Sequence, residues 1–386
     1  MILVVAVADM STDLYSVAMP SIAEYFQVHA SLAQYTITFN LAGLAISGLV
    51  YGPLSDHYGR RPIMLLGMAI FTTASLLCCM VDNITLLILV RFMQGIGSGV
   101  AGVIGYAAIK DIYSGSEYTR VISKLNMVVA LSPGVAPIIG SYIISSGYHW
   151  NNLFIIMSLA AFTTLALVYF KLEETLILDH KPLNAKGLAI KIIKQYTLMF
   201  KNRRFLGFAT IQALTFTWLW AYVVNYPFIF KKMGIDVRYF GHLISVIVMF
   251  FIVGTIVNAR YVSRVGVNKM LIIGLLLPLL SDGLLMYIYF IDKLSIVILQ
   301  VLWIPGNIGL AFIISNNVTH ALEAIKDTGL GSAFIFFADM MCGAVGTYFV
   351  GRFLDYGILP NLVLTILCSI VAIIIYIRLE KITLTT

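Results

Sequence analysis

Long apolar runs, separated by short charged or Gly/Pro/Asn-rich breaks, constrain this chain more than any other feature. An α-helix of about 20 apolar residues is the length that crosses a ~30 Å hydrocarbon core. The 386 residues contain about twelve such runs. In the first half they lie at approximately Met1 to Tyr25, Gln34 to Leu54, Ile63 to Val81, Thr85 to Ala108, Val121 to Ser145 and Leu153 to Phe170. The second half supplies Phe205 to Phe230, Tyr239 to Val262, Met270 to Ile291, Ser295 to Thr319, Gly329 to Gly351 and Pro360 to Ile377. Composition agrees, since 60% hydrophobic and only 11% charged residues lie far from the balance of a water-soluble domain. The expected class is an all-α polytopic membrane protein.

Lysine and arginine set the expected orientation. With the amino terminus inside, the loops and tail on the inner face hold about 19 of the 25 basic residues. Both termini are then cytoplasmic. The net charge of +7 follows from these short loops, which form no groove-sized basic patch for nucleic acid. Attraction to anionic lipid suffices. Cys78, Cys79, Cys342 and Cys368 all fall inside apolar runs, where cysteine acts as a small hydrophobe. The Asn83-Ile84-Thr85 sequon sits in a short turn against the membrane and is read as chance. No cleavable leader is expected, because the first run is long and carries Asp9 and Asp13. That run starts without preceding basic residues, which points to an upstream start or a trimmed chain.

One long polar interval, Lys171 to Arg204, divides the runs six and six. Three segments are therefore expected: a bundle over 1–170, a central cytoplasmic loop over 171–204 and a second bundle over 205–386. Leu188, Ile192, Tyr196 and Met199, with lysines between them, fit an interfacial amphipathic helix over Asn184 to Phe200. A solvated linker is the other reading. The stretch Ala259 to Lys269 occupies, between runs 8 and 9, the place that Gly52 to Arg61 occupies between runs 2 and 3. It keeps a glycine and basic residues, but Ser263 stands where Asp56 stands in the first copy.

Four motifs carry a resemblance. Gly52-Pro53-Leu54-Ser55-Asp56-His57-Tyr58-Gly59-Arg60-Arg61 is similar to the signature loop of major facilitator superfamily transporters. Arg91, followed by Gln94 and Gly95, resembles that family's fourth-helix motif. Ser132-Pro133-Gly134-Val135-Ala136-Pro137-Ile138-Ile139-Gly140-Ser141 resembles its fifth-helix antiporter motif; Ser132, Ala136 and Ser141 replace usual glycines, while Pro137 and Gly140 match. Asp13-Leu14-Tyr15-Ser16-Val17-Ala18-Met19-Pro20 is similar to the opening of the bicyclomycin and chloramphenicol resistance (Bcr/CflA) group of drug:proton antiporters, with Val17 in place of a proline. The resemblance implies twelve transmembrane helices in two pseudo-symmetric six-helix bundles, with a substrate site between them near the bilayer midplane. It also implies a bacterial inner-membrane location and proton-coupled export of lipophilic drugs by alternating access.

Asp9 and Asp13 are four residues apart and share one face of the first helix. An ionised carboxylate at such depth costs about 2.5 to 3.5 kcal/mol on insertion scales, so these acids are expected to face protein or a wet cavity. They are the candidate proton carriers, with Asp9 alternatively interfacial. Arg91, about seven residues into its run, must be paired or hydrated. The resemblance gives it a part in proton release, and a purely structural role bonding backbone carbonyls is the alternative. Asp56, Arg60 and Asp111, with Gly52, Gly59 and Arg61, are the candidate gate, which the resemblance implies latches the outward-facing state. An ordinary surface ion network is the alternative. The antiporter-motif positions are Pro133, Gly134, Pro137 and Gly140. Tyr15, Asn40, Gln94, Tyr106, Trp218, Tyr222, Asn225 and Asp339 are cavity candidates, since aromatic and amide groups suit flat lipophilic cations. Helix packing is the competing role for each. Asp282 has no assigned role, because the ninth helix of the family faces lipid.

No Gly-x-x-x-x-Gly-Lys loop is present, so the expected energy source is the proton gradient, without cofactor. The histidines, among them His29, His57, His149 and His180, form no metal or nucleophile pattern, and no metal is expected. A monomer with small-molecule, proton and lipid partners is expected. A transporter dedicated to one metabolite, a polytopic membrane enzyme and a non-transporting sensor remain as alternatives.

Overall fold

In hydrocarbon every backbone N–H and C=O must be satisfied within its own segment, so each apolar run becomes a helix. The computed structural model describes residues 1–176, 187, 196–197, 199–325 and 328–385. Among these are thirteen α-helices. The first seven are α1 (Ile2–Ser16), α2 (Met19–Tyr25), α3 (Ala30–Tyr58), α4 (Arg60–Cys78), α5 (Ile84–Ile112), α6 (Gly115–Ser145) and α7 (Asn151–Lys171). The rest are α8 (Arg203–Lys232), α9 (Phe240–Val265), α10 (Val267–Phe290), α11 (Ile296–Glu323), α12 (Thr328–Arg352) and α13 (Leu359–Thr385). Eleven are individually long and apolar enough to cross a membrane, and the pair α1 and α2, bent by 60°, makes a twelfth span. The bend has a local cause. Pro20 has no N–H to return to the Ser16 carbonyl, and the Ser16 hydroxyl bonds back to the Asp13 carbonyl at 2.8 Å.

The chain forms two units, Met1–Tyr196 and Thr197–Thr386. Their boundary falls within the polar interval at 171–204. The amphipathic helix expected at 184–200 lies outside the described residues, apart from positions 187, 196, 197, 199 and 200.

In the first unit α5 is the central post, packed on α3 and α4, while α1 packs on α6 and α7. Close approach requires glycine: a Cβ at Gly95 would overlap the Asn40 carbonyl, and one at Gly97 would overlap the Phe71 backbone. This small-residue contact replaces the hydrophobic drive that lipid does not supply. The sequon at Asn83 has a structural use, since its side chain caps α5 by accepting from the Leu86 N–H at 2.8 Å. In the second unit α8 packs on α11, α12 and α13, and α10 packs on α11 and α13. The internal repeat is visible in the backbone. Gly59 joins α3 to α4 at φ +100°, and Gly266 joins α9 to α10 at φ +92°, a region that favours glycine.

Gly97→Leu is expected to destabilise the protein by about 1 to 3 kcal/mol through overpacking, read as a lower unfolding midpoint in detergent. Gly283→Ala, where an added Cβ meets nothing within 4 Å, is expected to leave that midpoint unchanged or raise it.

Candidate functional site

The first cluster surrounds Asp13 on α1. Its Oδ2 accepts a hydrogen bond from Ser132 Oγ on α6 at 2.9 Å. Ser132 is one of the residues that replaces a glycine of the antiporter motif, so this departure adds a hydroxyl aimed at the carboxylate. The same helix grips α1 nearby: a Cβ at Gly140 would run into the Leu14 carbonyl and the Val17 side chain. Asp9 lies one turn before Asp13 and is partly exposed. Pro133 and Pro137 both sit within α6, each removing one backbone hydrogen bond and leaving the helix able to bend.

Arg91 does not pair with Asp13. The guanidinium is fully buried, lies over the Tyr15 ring at 4.5 Å and the Phe154 ring at 5.8 Å, and donates to Gln94 Oε1. Its Nε and Nη2 have no protein partner. A cation–π contact yields about 2 kcal/mol when desolvated, less than the several kcal/mol that burying an ion costs. The aromatic faces therefore offset only part of the cost of burying Arg91.

The cavity candidates of the first unit are drawn into this network. Tyr15 is fully buried, with its hydroxyl 2.7 Å from Thr36 Oγ1. Asn40 donates to the Arg91 carbonyl at 2.9 Å and accepts from Thr12 at 3.2 Å, tying α1, α3 and α5 together. Gln94 donates to Ser75 at 2.7 Å. Tyr106 donates to Asn126 on α6 at 2.9 Å.

The second cluster is at the α3–α4 turn. Arg60 bridges Asp56 at 2.5 Å and Asp111 at 2.9 Å, and also donates to Ser55 at 2.6 Å. The expected triad is therefore brought together. Arg61 turns away, donating to the Tyr169 carbonyl at 2.8 Å. A Cβ on Gly52 would make only ordinary contact with Val103 at 3.6 Å. Glu174, which the sequence reading passed over, completes the cluster: its carboxylate accepts from the Arg60 N–H at 2.9 Å and the Arg61 N–H at 3.1 Å. It caps α4 from a distant part of the chain, and a Cβ at Gly59 would collide with it. The only hint in sequence was an acid just past α7.

The third cluster lies in the second unit. Asp282 faces inward, at 3% exposure, and accepts from the Tyr222 hydroxyl at 2.8 Å. On a helix of which the family leads one to expect a lipid-side place, the carboxyl thus neither snorkels outward nor meets lipid: α10 turns this face toward α8 and α13. Asn225 donates to Asn361 and to the Gly357 carbonyl at 3.2 Å. Trp218 meets Tyr222 edge-on at 6.4 Å. Asp339 on α12 is buried beside Gln212, with Oδ1 lacking a protein partner.

The Major Facilitator Superfamily model matches residues 1–347. The chain belongs to this superfamily. A bicyclomycin resistance protein homolog from Haemophilus influenzae is 30% identical over 315 residues, covering 81% of this chain and 76% of that protein. The chloramphenicol resistance protein CraA of Acinetobacter baumannii is 28% identical over 278 residues, covering 72% and 65%. A crystal structure of the peptide transporter POT with sulfate superimposes at TM-score 0.76 over 99% of this chain and 93% of that one, at 13% identity. That likeness shows the major facilitator fold.

Glu174 generates a prediction for this family's signature loop. Burial alone would raise its carboxyl, but the N–H groups of Leu176, Arg60, Arg61 and Thr175 outweigh burial and hold it below the ordinary glutamate value. A depressed folded-state pKa stabilises above the unfolded value and loses that contribution as pH falls through the folded one. Protection of the Arg60 and Arg61 amides from hydrogen exchange is expected to be full at neutral pH and to fall in acid. In Glu174→Gln the protection should be reduced already at neutral pH.

Proposed function

We propose that this protein is a proton-driven exporter of lipophilic drugs in a bacterial inner membrane, working as a monomer with both termini cytoplasmic. The names of its relatives, bicyclomycin and chloramphenicol resistance proteins, support the substrate class. One observation carries the coupling: the Asp13 carboxylate is held by Ser132, a residue of the antiporter-motif helix. Protonating Asp13 removes the charge that Ser132 solvates. The grip of α6 on α1 then changes, and because α6 contains two prolines it can yield. A proton entering at Asp13, shared with Asp9, thereby favours return to the inward-facing state after drug release. Arg91 acts through Tyr15 and Gln94, without a direct ion pair. The Asp56, Arg60, Asp111 and Glu174 cluster holds the α3–α4 turn in one of the two states. The membrane potential supplies about 2.3 kcal/mol per charge per 100 mV. The protein moves its substrates unchanged and needs no cofactor.

Drug-induced proton release in energised inside-out vesicles tests this reading. Dequenching of a pH dye by several unrelated lipophilic drugs is expected in the parent and absent in Asp13→Asn. A response to a single metabolite would move the protein to the dedicated-transporter reading, and equal release by the variant would remove Asp13 from the proton path. Ser132→Ala is expected to shift the pH dependence of efflux in the parent, and to add nothing in an Asp13→Asn background.

A further inference from the structure

Asp282 lies in α10 of the second unit, and the scheme above makes no use of it. Its helix packs closely on α11, where a Cβ at Gly309 would press on the Gly274 carbonyl and Pro278. The groups that face it are few. From α8 come Tyr222, hydrogen-bonded at 2.8 Å, and Tyr226, stacked 5.5 Å from Tyr222. From α11 comes Trp303, whose ring is 5.3 Å from Tyr222 and 4.6 Å from Tyr226. From α13 comes Thr365, close to the carboxyl, with its hydroxyl proton given to the Asn361 carbonyl. Among the described residues no Lys, Arg or His forms an ion pair with Asp282. A lone carboxylate so placed is costly unless a cation neutralises it. Tyr222, Tyr226 and Trp303 are themselves buried against it, so the cation must be small.

A polar lane connects this acid to a loop. Thr365 Oγ1 donates to the Asn361 carbonyl at 3.0 Å, and Asn361 Oδ1 accepts from Asn225. Asn225 also donates to the Gly357 carbonyl at 3.2 Å, in the connection between α12 and α13. Lys232 anchors that connection through the Asp355 carbonyl at 2.9 Å. Thr365, Asn361 and Asn225 are at most 1% exposed, and such residues at membrane depth mark ion or proton routes. Asn361 Nδ2 and Ser281 Oγ have no protein partner. Buried polar groups of this kind are where water resides, and water carries a proton past amides that cannot.

We propose that Asp282 is a second proton-binding carboxyl, loaded from the α12–α13 loop along the lane of Asn225, Asn361 and Thr365. On loading, an O–H bond of a hydronium breaks as one forms at a carboxylate oxygen, leaving water; on release the carboxyl O–H bond breaks and a water takes the proton as hydronium. With basic loops inside, this loop is on the outer face, the side from which an exporter takes up protons. Coupling of the site to efflux rests on the antiport reading, whereas protonation itself does not.

Infrared difference spectroscopy of the full chain in lipid nanodiscs, titrated with pH, tests the site directly. A carboxylic-acid C=O band is expected in the parent and in Asp13→Asn, and its loss is expected in Asp282→Asn, which keeps an acceptor for Tyr222. In Asn361→Leu the band should persist but follow a pH jump more slowly. Identical carboxylic-acid spectra for the parent and Asp282→Asn at every pH would overturn the proposal, as would a band abolished by sodium at constant pH. Drug-induced proton release measured on the same preparations separates the two readings. Release with no Asp282 band removes this site alone; a titrating Asp282 band without release keeps the site and removes antiport.

Discussion

Among the described residues the charged groups at membrane depth form no ion pairs with one another. Asp13 is held by a serine, Asp282 by a tyrosine, and Arg91 by aromatic faces and an amide. Ion pairing would neutralise each most cheaply, yet a buried pair is hard to break once made. Holding acids by hydroxyl donors leaves each free to take up or lose a proton without severing a strong contact. The rest of the architecture serves this separation. Glycine contacts fix how closely α5 approaches α3 and α4, and so fix Arg91 over Tyr15.

At the α3–α4 turn the opposite principle holds. Arg60 engages two carboxylates and a serine with its side chain and a third carboxylate with its backbone. No buried charge there awaits a proton. This end of the unit is a joint held by many weak contacts, each modest in water but cooperative in geometry. This joint and the Asp13 carboxyl thus occupy different parts of one unit, and α5 carries both Arg91 and Asp111.

The helix count and the turn glycines were legible in sequence, because the apolar runs are closed by charged or Gly/Pro/Asn-rich breaks and the two repeat-related turns carry Gly59 and Gly266. The Arg60 triad was legible because its spacing follows the signature loop. The neighbours of Arg91 were not: hydropathy says that a residue is deep, but nothing about how a helix is rotated about its axis. Asp282 illustrates the same gap, since its inward face depends on where α8 and α13 pack. Glu174 was hidden by distance, standing 114 positions after Arg60. Ser132 was visible only as a missing glycine, and its meaning required knowing that α6 lies against Asp13.

The two turn glycines also differ in what each permits. Both combine positive φ with an extended ψ, 153° at Gly59 and 146° at Gly266, a region open essentially to glycine alone. At Gly266 an added Cβ meets nothing within 4 Å, so backbone conformation is the sole restriction. At Gly59 the Glu174 carboxylate occupies the space as well. Of two turns with the same backbone form, one thus holds its glycine by conformation alone and the other by conformation and by space together.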